Sequence, residues 1–398
     1  MRSYPCVVWL VGGTALLASA LLGGMVHAQT AAGGAAQDTA VLPRVEVGGV
    51  SAAPRELKTL NQFAYTQILF ERYHQLAPQA ELKFKVFARK SERDLDHAEL
   101  SLVGKSESAP VVLDAQQRFV LDPVWRQLDG NTELRSRLPE GRVAWRVDIQ
   151  TPGLPSGTRR LGDLRLEYIA AAISGLARTV ELSYLGAYIW SRESKVTDPY
   201  LTYPEMMSHI AERPVFGVTL VHGERRFSLN YFQLHGSGDG LSLKSASKRL
   251  DWGYGMRNRM YRLPPSANDW PDDTLVVLEF MDSPDAKSAA GEPGANAAAP
   301  DGVAAPYARC AQSLVVGITR RAEVEQQLGR ARVLRFEDGT ETWHYFQFHN
   351  GASVENLFNT APMIHSLKSD AVELRLLFDA DGVLKKFALR EHAAVAIR

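Results

Sequence analysis

The sequence predicts a mainly β protein with α+β character. A β-sandwich-like N-terminal region is joined by a disordered linker to a small domain of two helices and an antiparallel sheet. Three observations predict it. Between residues 41 and 282, short runs alternate apolar and polar residues and are punctuated by turn residues. From 283 to 305 the chain carries no aromatic residue and is made largely of Ala, Gly, Pro, Ser and Asp. That composition buries too little surface to offset its ordering entropy. From 306 to 398 two helical segments precede strand-like ones.

The first 28 residues, MRSYPCVVWLVGGTALLASALLGGMVHA, have the layout of a cleavable secretory signal. Arg2 supplies a positive start, Val7 to Leu22 carries no charge, and Val26-His27-Ala28 offers small residues before a cut. The apolar run falls short of the ~18 residues expected of a spanning helix, and Gly12 and Gly13 weaken it further. No later segment is long and apolar enough to cross a bilayer. Residues 29–40 read as a flexible tether. The expectation is therefore an exported protein, periplasmic or associated with the outer membrane. Cys6 precedes the apolar core, so no lipid attachment is expected. Removal of the signal leaves Cys310, which has no second cysteine to pair with. The 45 Lys and Arg balance 45 Asp and Glu without a long basic run, which argues against nucleic acid as a partner.

Within 41–282, read as one or two sandwich-like modules, a helix is expected near Leu60 to Leu76, with Phe63, Ile68, Leu69 and Tyr73 on its packed face. Strands are expected at Leu82–Phe87, Leu100–Val103, Arg118–Leu121 and Val143–Ile149, with turn signals at Pro110, Asp114 and Pro139-Glu140-Gly141. Leu164 to Tyr168 alternates as a strand would, ahead of a helical Ile169 to Ala177. Further strands are expected at Phe216–Val221, Arg226–Leu234 and Thr274–Phe280. In 306–398, Ala308–Leu314 forms a short helix and Thr319 caps a second beginning at Arg320. Val324 and Leu328 share its inner face, and Gly329 ends it. Arg332–Phe336 and Glu341–Phe348 flank a hairpin turn at Glu337-Asp338-Gly339-Thr340. Val372–Phe378 then turns through Asp379-Ala380-Asp381-Gly382 into Val383–Leu389, completing a three- or four-stranded meander.

Gly317-Ile318-Thr319, Val324, Leu328-Gly329, Trp343-His344-Tyr345, Leu376-Leu377-Phe378-Asp379 and Gly382-Val383 together resemble the SmpA/OmlA (BamE-like) domain, over about a quarter of the chain. The resemblance implies a non-enzymatic interaction module supporting outer-membrane assembly or integrity, with envelope or outer-membrane proteins as partners. Family members are short lipoproteins, a feature this chain lacks. The Ala109–Phe119 and Arg159–Tyr168 runs resemble segments of exported proteobacterial proteins. The first is also similar to transthyretin-like sandwiches.

No residue pattern supplies a nucleophile, base or metal set, so no catalytic residue, cofactor or metal is expected. His235, Ser237 and Asp239 lie in a glycine-rich run that reads as a hairpin tip, because residues adjacent in sequence rarely assemble a triad. Asp379-x-Asp381-Gly382 begins like a calcium loop, but Arg390 stands where the closing Glu belongs. Asp269-Trp270-Pro271-Asp272-Asp273 reads as a polar turn. The composition of Trp252, Tyr254, Arg257, Arg259 and Tyr261 suits a partner-binding loop. Trp343 and Tyr345 are expected on a strand face open to a partner. The overall expectation is a non-enzymatic envelope protein. The alternative is an exported ligand-binding protein or enzyme with its site hidden in the β-rich region. A concave pocket within 41–282 that gathers polar groups of shifted pKa would separate the two.

Overall fold

The structure, a computed structural model, describes residues 55–89, 92–105, 108–129, 131–176, 208–235, 254–263, 269–283, 305–348 and 371–392. All of them fall in one compact unit, Ala52–Arg398. The expected signal, the tether and nearly all of the expected linker lie outside the described residues. In chain order the elements are β1 (Arg55–Thr59), α1 (Leu60–Tyr73), β2 (Glu81–Ala88), β3 (Leu100–Val103), β4 (Ser108–Val111), β5 (Arg118–Phe119), β6 (Glu133–Pro139), β7 (Val143–Gln150), β8 (Thr158–Arg160) and α2 (Leu161–Ser174). There follow β9 (Ser208–Ile210), β10 (Val215–His222), β11 (Arg225–Ser228), α3 (Tyr231–His235), β12 (Met260–Arg262) and β13 (Leu275–Phe280). The C-terminal module contributes α4 (Ala305–Ser313), α5 (Arg321–Leu328), β14 (Arg332–Arg335), β15 (Glu341–Phe348), β16 (Ala371–Phe378) and β17 (Leu384–His392).

The chain is mainly β, and every strand pairing among the described residues is antiparallel. The strand orders are β1-β6-β3-β4, β5-β2-β7, β11-β10-β13-β8 and β14-β15-β16-β17, with β9 and β12 as a separate pair. No described helix is long and apolar enough to cross a membrane.

The first two sheets and α1 share one core. Phe63 of α1 sets its ring edge against Phe84 at 4.9 Å and Trp145 at 5.8 Å, a favourable arrangement of ring quadrupoles. The buried stripe of α1 is Leu60, Phe63, Thr66 and Leu69. Ile68 was expected on it, but lies about 100° round the helix from Leu69 and is exposed. Pro110 sits inside β4 rather than in a turn. The position is tolerated because β4 is an edge strand.

Two strand expectations fail. Leu164–Tyr168 is the interior of α2, whose buried residues run almost without a break from Leu161 to Ala172. A helix buried on nearly all sides has no 3.6-residue signature, so five alternating residues mimic a strand. Arg226–Leu234 pairs only as far as Ser228, and Tyr231–His235 turns into α3.

In the C-terminal module the expected order is observed, with four strands in the sheet. Thr319 does not cap α5. Its hydroxyl accepts the Val315 N–H (2.9 Å), while Glu323 takes the N–H of Arg320, the residue that precedes the helix (2.9 Å). Val324, Cys310 and Leu314 form one core with Trp343, Tyr345, Leu374, Leu376 and Phe378. Trp343 and Tyr345 are therefore buried beneath α4 and α5 and are not open to a partner. The indole N–H of Trp343 is satisfied by Glu341 (2.8 Å) and the Tyr345 hydroxyl by the Gly329 carbonyl (2.9 Å). The opposite sheet face is not free either: Phe346, Leu377 and Ala388 pack with Phe216, Tyr231 and Met281 of the preceding region.

Candidate functional site

The expected partner loop is placed otherwise than its composition suggests. Trp252 lies outside the described residues. Tyr254, Arg257 and Arg259 belong to a single 3-10 turn, Tyr254–Arg259, and Tyr261 to β12. The side chains of Arg257 and Tyr261 are buried and that of Arg259 is half-buried. The Tyr261 ring and the Arg257 guanidinium thus serve the interior of the fold. Trp270 is also buried, with the Arg225 guanidinium 3.8 Å over its ring. Asp272 is engaged by Arg165. Asp379 closes a tight turn by accepting the Val383 N–H (2.8 Å). His235 ends α3 rather than a hairpin, and residues 236–240 lie outside the described residues.

The concave feature lies elsewhere. A cavity of about 420 Å³ is walled by β2, β5, β7, the Thr151–Gly157 loop, β8, Glu167 of α2, Ile210 to Glu212, and β13. It arises from the two-residue period of β2 and β7. Register pairs Phe84 with Val147 and Val86 with Trp145 on the core face. The intervening residues turn the other way and pair Lys85 with Arg146, Lys83 with Asp148 and Glu81 with Gln150. Arg118 of β5 stands opposite Lys85. The sheet therefore has one apolar face in the core and one charged face in the cavity.

From the Arg159-Arg160-Leu161-Gly162-Asp163-Leu164-Arg165-Leu166-Glu167 run, Arg159 and Glu167 line the cavity. Arg159 donates to Glu167 (2.8 Å) and to the Ile149 carbonyl (2.6 Å). Asp163, fully buried, accepts both the N–H (2.8 Å) and the hydroxyl (2.9 Å) of Thr151, pinning the start of the cavity loop. Gly162 brings the start of α2 close against the chain at Leu76, where a Cβ would stand 2.0 Å from the Leu76 carbonyl oxygen. Asp163 holds the cavity loop and Glu167 holds Arg159. Within a helix, four residues apart, they face the interior together.

Electrostatics follow from this burial. Burial pushes the Glu167 carboxyl up, against the pull of Arg159. Burial also works against the charge of Arg159, but Glu167, Tyr261 and Asp148 outweigh it and hold the guanidinium charged. Glu212 reaches in from the β9–β10 connection to Lys85 (3.0 Å) and Arg118 (2.5 Å). Burial raises its carboxyl, but these cations bring it below the usual range. Behind the cavity, burial and the nearby Arg159 charge push His209 down to about 3.

A second polar cluster lies where the C-terminal sheet meets β10, β11 and β13. Glu373, fully buried, is bonded to His344 (2.7 Å), His392 (2.9 Å) and Arg375 (2.9 Å). Arg375 donates onward to the carbonyls of Phe216 (2.5 Å) and Leu229 (3.1 Å). Lys386 reaches Glu279 and the Phe280 carbonyl, each at 3.0 Å, and Arg390 also pairs with Glu279. One Glu373 oxygen takes His344 and the other His392 while Arg375 donates to both, and Arg375 and His392 reach carbonyls of the neighbouring sheet.

Burial holds His344 at about 4 in spite of Glu373, and pushes His235 well below its ordinary value. His209 and His344 start from 6.5 in the unfolded chain. Above that value both are neutral in either state and contribute no pH dependence. Between about 6.5 and about 4 the unfolded chain takes up two protons that the folded chain refuses. Stability should therefore fall as pH falls through this window. Glu373, held well below 4.5, adds a loss in the same direction at still lower pH. Urea unfolding at a series of pH values measures the slope, and a flat profile across the window would contradict it. No family model, curated protein or solved structure matches this chain.

Proposed function

We propose that this chain is an exported cell-envelope protein that binds a small polar ligand in the charged cavity without catalysing a reaction on it. One observation carries the reading. The cavity, about 420 Å³, falls in the ~300–1,000 Å³ range of small-molecule sites and is lined by charged groups with displaced titration, Glu167 and Glu212. Binding is favoured over chemistry because the cavity carboxylates are already ion-paired: Asp148 with Arg118, Glu167 with Arg159, Glu212 with Lys85 and Arg118, and Glu81 with Lys83. None is left poised as a base. Export rests on the N-terminal signal layout. The finer fold reading, a sandwich-like region followed by a BamE-like domain, is supported by the shared core of the first two sheets and by the helix, helix, four-strand order.

A second reading, a protein-interaction module for envelope or outer-membrane partners, is favoured by one feature. Val315, Val316 and Ile318 are exposed within a single loop between α4 and α5. It gains if the cavity takes up nothing.

The test is a thermal-shift screen of small polar metabolites against the wild type and Ser156→Trp, which places a large ring at the exposed rim of the cavity. A ligand present at 100 times its Kd should stabilise the wild type by about 2.7 kcal/mol and leave Ser156→Trp unshifted. A screen in which no compound distinguishes the two proteins refutes the reading.

A further inference from the structure

Arg118 of β5, Lys85 of β2 and Arg146 of β7 stand directly opposite one another, in one row across three adjacent strands. Cross-strand neighbours have their Cβ atoms ~4.5–5.5 Å apart, and like charges placed so oppose folding. The row is nonetheless substantially buried, with Lys85 7% and Arg146 8% exposed. Glu212 is about half exposed, comes from a different part of the chain, and lays its carboxylate on Lys85 and Arg118. Asp148 lies 2.6 Å from Nε of Arg118, too poorly aligned to form a hydrogen bond, and Nε of Arg159 has no hydrogen-bond partner among the described residues. The same wall therefore sets three cations side by side in a space large enough for a small molecule.

We propose that the cavity ligand is a small oxyanion, a carboxylate or phosphate compound, which seats on the Arg118–Lys85–Arg146 row and displaces the Glu212 carboxylate from Lys85 and Arg118. This rests on the reading of the cavity as a ligand site. The chemistry is charge-assisted hydrogen bonding from guanidinium and ammonium to a planar or tetrahedral oxyanion. Glu212, tethered to the chain, neutralises the row when no ligand is present. A free anion must therefore compete with it.

Isothermal titration at low salt of the purified protein with citrate, inorganic phosphate and glucose tests the proposal. Citrate, phosphate or both should bind at one site, more weakly as salt rises. Phosphate without citrate assigns a phosphoryl source, and citrate without phosphate a carboxylate source. Arg146→Gln should weaken the bound anion about tenfold or more, given the worth of a charge-assisted hydrogen bond. Glu212→Gln should strengthen it several-fold by removing the competitor. Lys83→Gln, at a half-exposed position on the same face, should also weaken it, and serves if Arg146→Gln fails to fold. If anion affinity is unchanged in all three variants, or if neither anion binds the wild type, the proposal falls. Glucose, or any neutral screening hit, that binds the wild type but not Ser156→Trp would overturn the oxyanion class while leaving the cavity as a ligand site. Absence of any binding sensitive to Ser156→Trp removes both.

Discussion

Arg375→Met should destabilise the protein by about 3–5 kcal/mol, the cost of removing one partner from a buried ion pair. Arg375 is 1% exposed and Glu373 is fully buried, so the substitution strands a carboxylate away from water with only His344 and His392 beside it. It also leaves the Phe216 and Leu229 carbonyls without the donor that now serves them. Denaturant unfolding should show a lower midpoint with an unchanged slope. The double variant Arg375→Met/Glu373→Leu should recover much of the loss, because an apolar pair of similar volume replaces the charges. A single-variant loss below about 1 kcal/mol, within the range of an exposed pair, would mean that water reaches Glu373. The same contacts bear on how the chain unfolds. The sheet face carrying Glu373, Arg375 and Lys386 is completed by β10, β11 and β13. The C-terminal module, read from the sequence as a small domain behind a linker, leaves that face incomplete when cut away.

Gly162→Ala should cost stability at the upper end of the ~1–3 kcal/mol range for overpacking, and should abolish ligand uptake by the cavity. The added methyl would stand 2.0 Å from the Leu76 carbonyl oxygen and 3.0 Å from Cβ of Asp272. The first of these is backbone, so α2 itself must shift. Gly162 also donates its N–H to the Asp272 carbonyl (2.8 Å). Moving the first turn of α2 carries with it Asp163, which pins the cavity loop through Thr151, and Arg159, which forms part of the wall. Gly223→Ala, away from the cavity, is the control. That residue has φ +57° with nothing within 4 Å of the new Cβ, so its cost is the left-handed backbone alone, roughly 1–2 kcal/mol. Chemical denaturation and the metabolite screen on both variants decide the matter. Equal losses would show that the approach to Leu76 is not what makes Gly162 necessary.

The sequence by itself determined the elements whose periods are clean. The alternation in β2 and β7, the Asp338-Gly339 and Asp381-Gly382 turns and the helix, helix, strand order after residue 305 are local signals, and each is observed where expected. It placed only the second half of α2, from Ile169, and read Leu164–Tyr168 as a strand, because a helix buried all round loses its amphipathic stripe. It also could not say which side of a ring-bearing strand faces solvent: Trp343 and Tyr345 look alike in sequence whether they meet a partner or the chain's own α4 and α5. The cavity was legible only in part. Lys83, Lys85, Arg146 and Asp148 were visible as the polar half of two alternating strands, which ordinarily means a solvated face. Tertiary structure alone decided that this face is enclosed. It carries Glu212 to Lys85, 127 residues away in the chain, and to Arg118, 94 away, and sets Arg118, Lys85 and Arg146 in one row. Likewise, only the packing of two sheets turns Glu373, Arg375, His344 and His392 from scattered polar residues into one buried network. Register within a strand is a matter of neighbours along the chain. Burial of a charge depends on what arrives from elsewhere, and that is set by the whole fold.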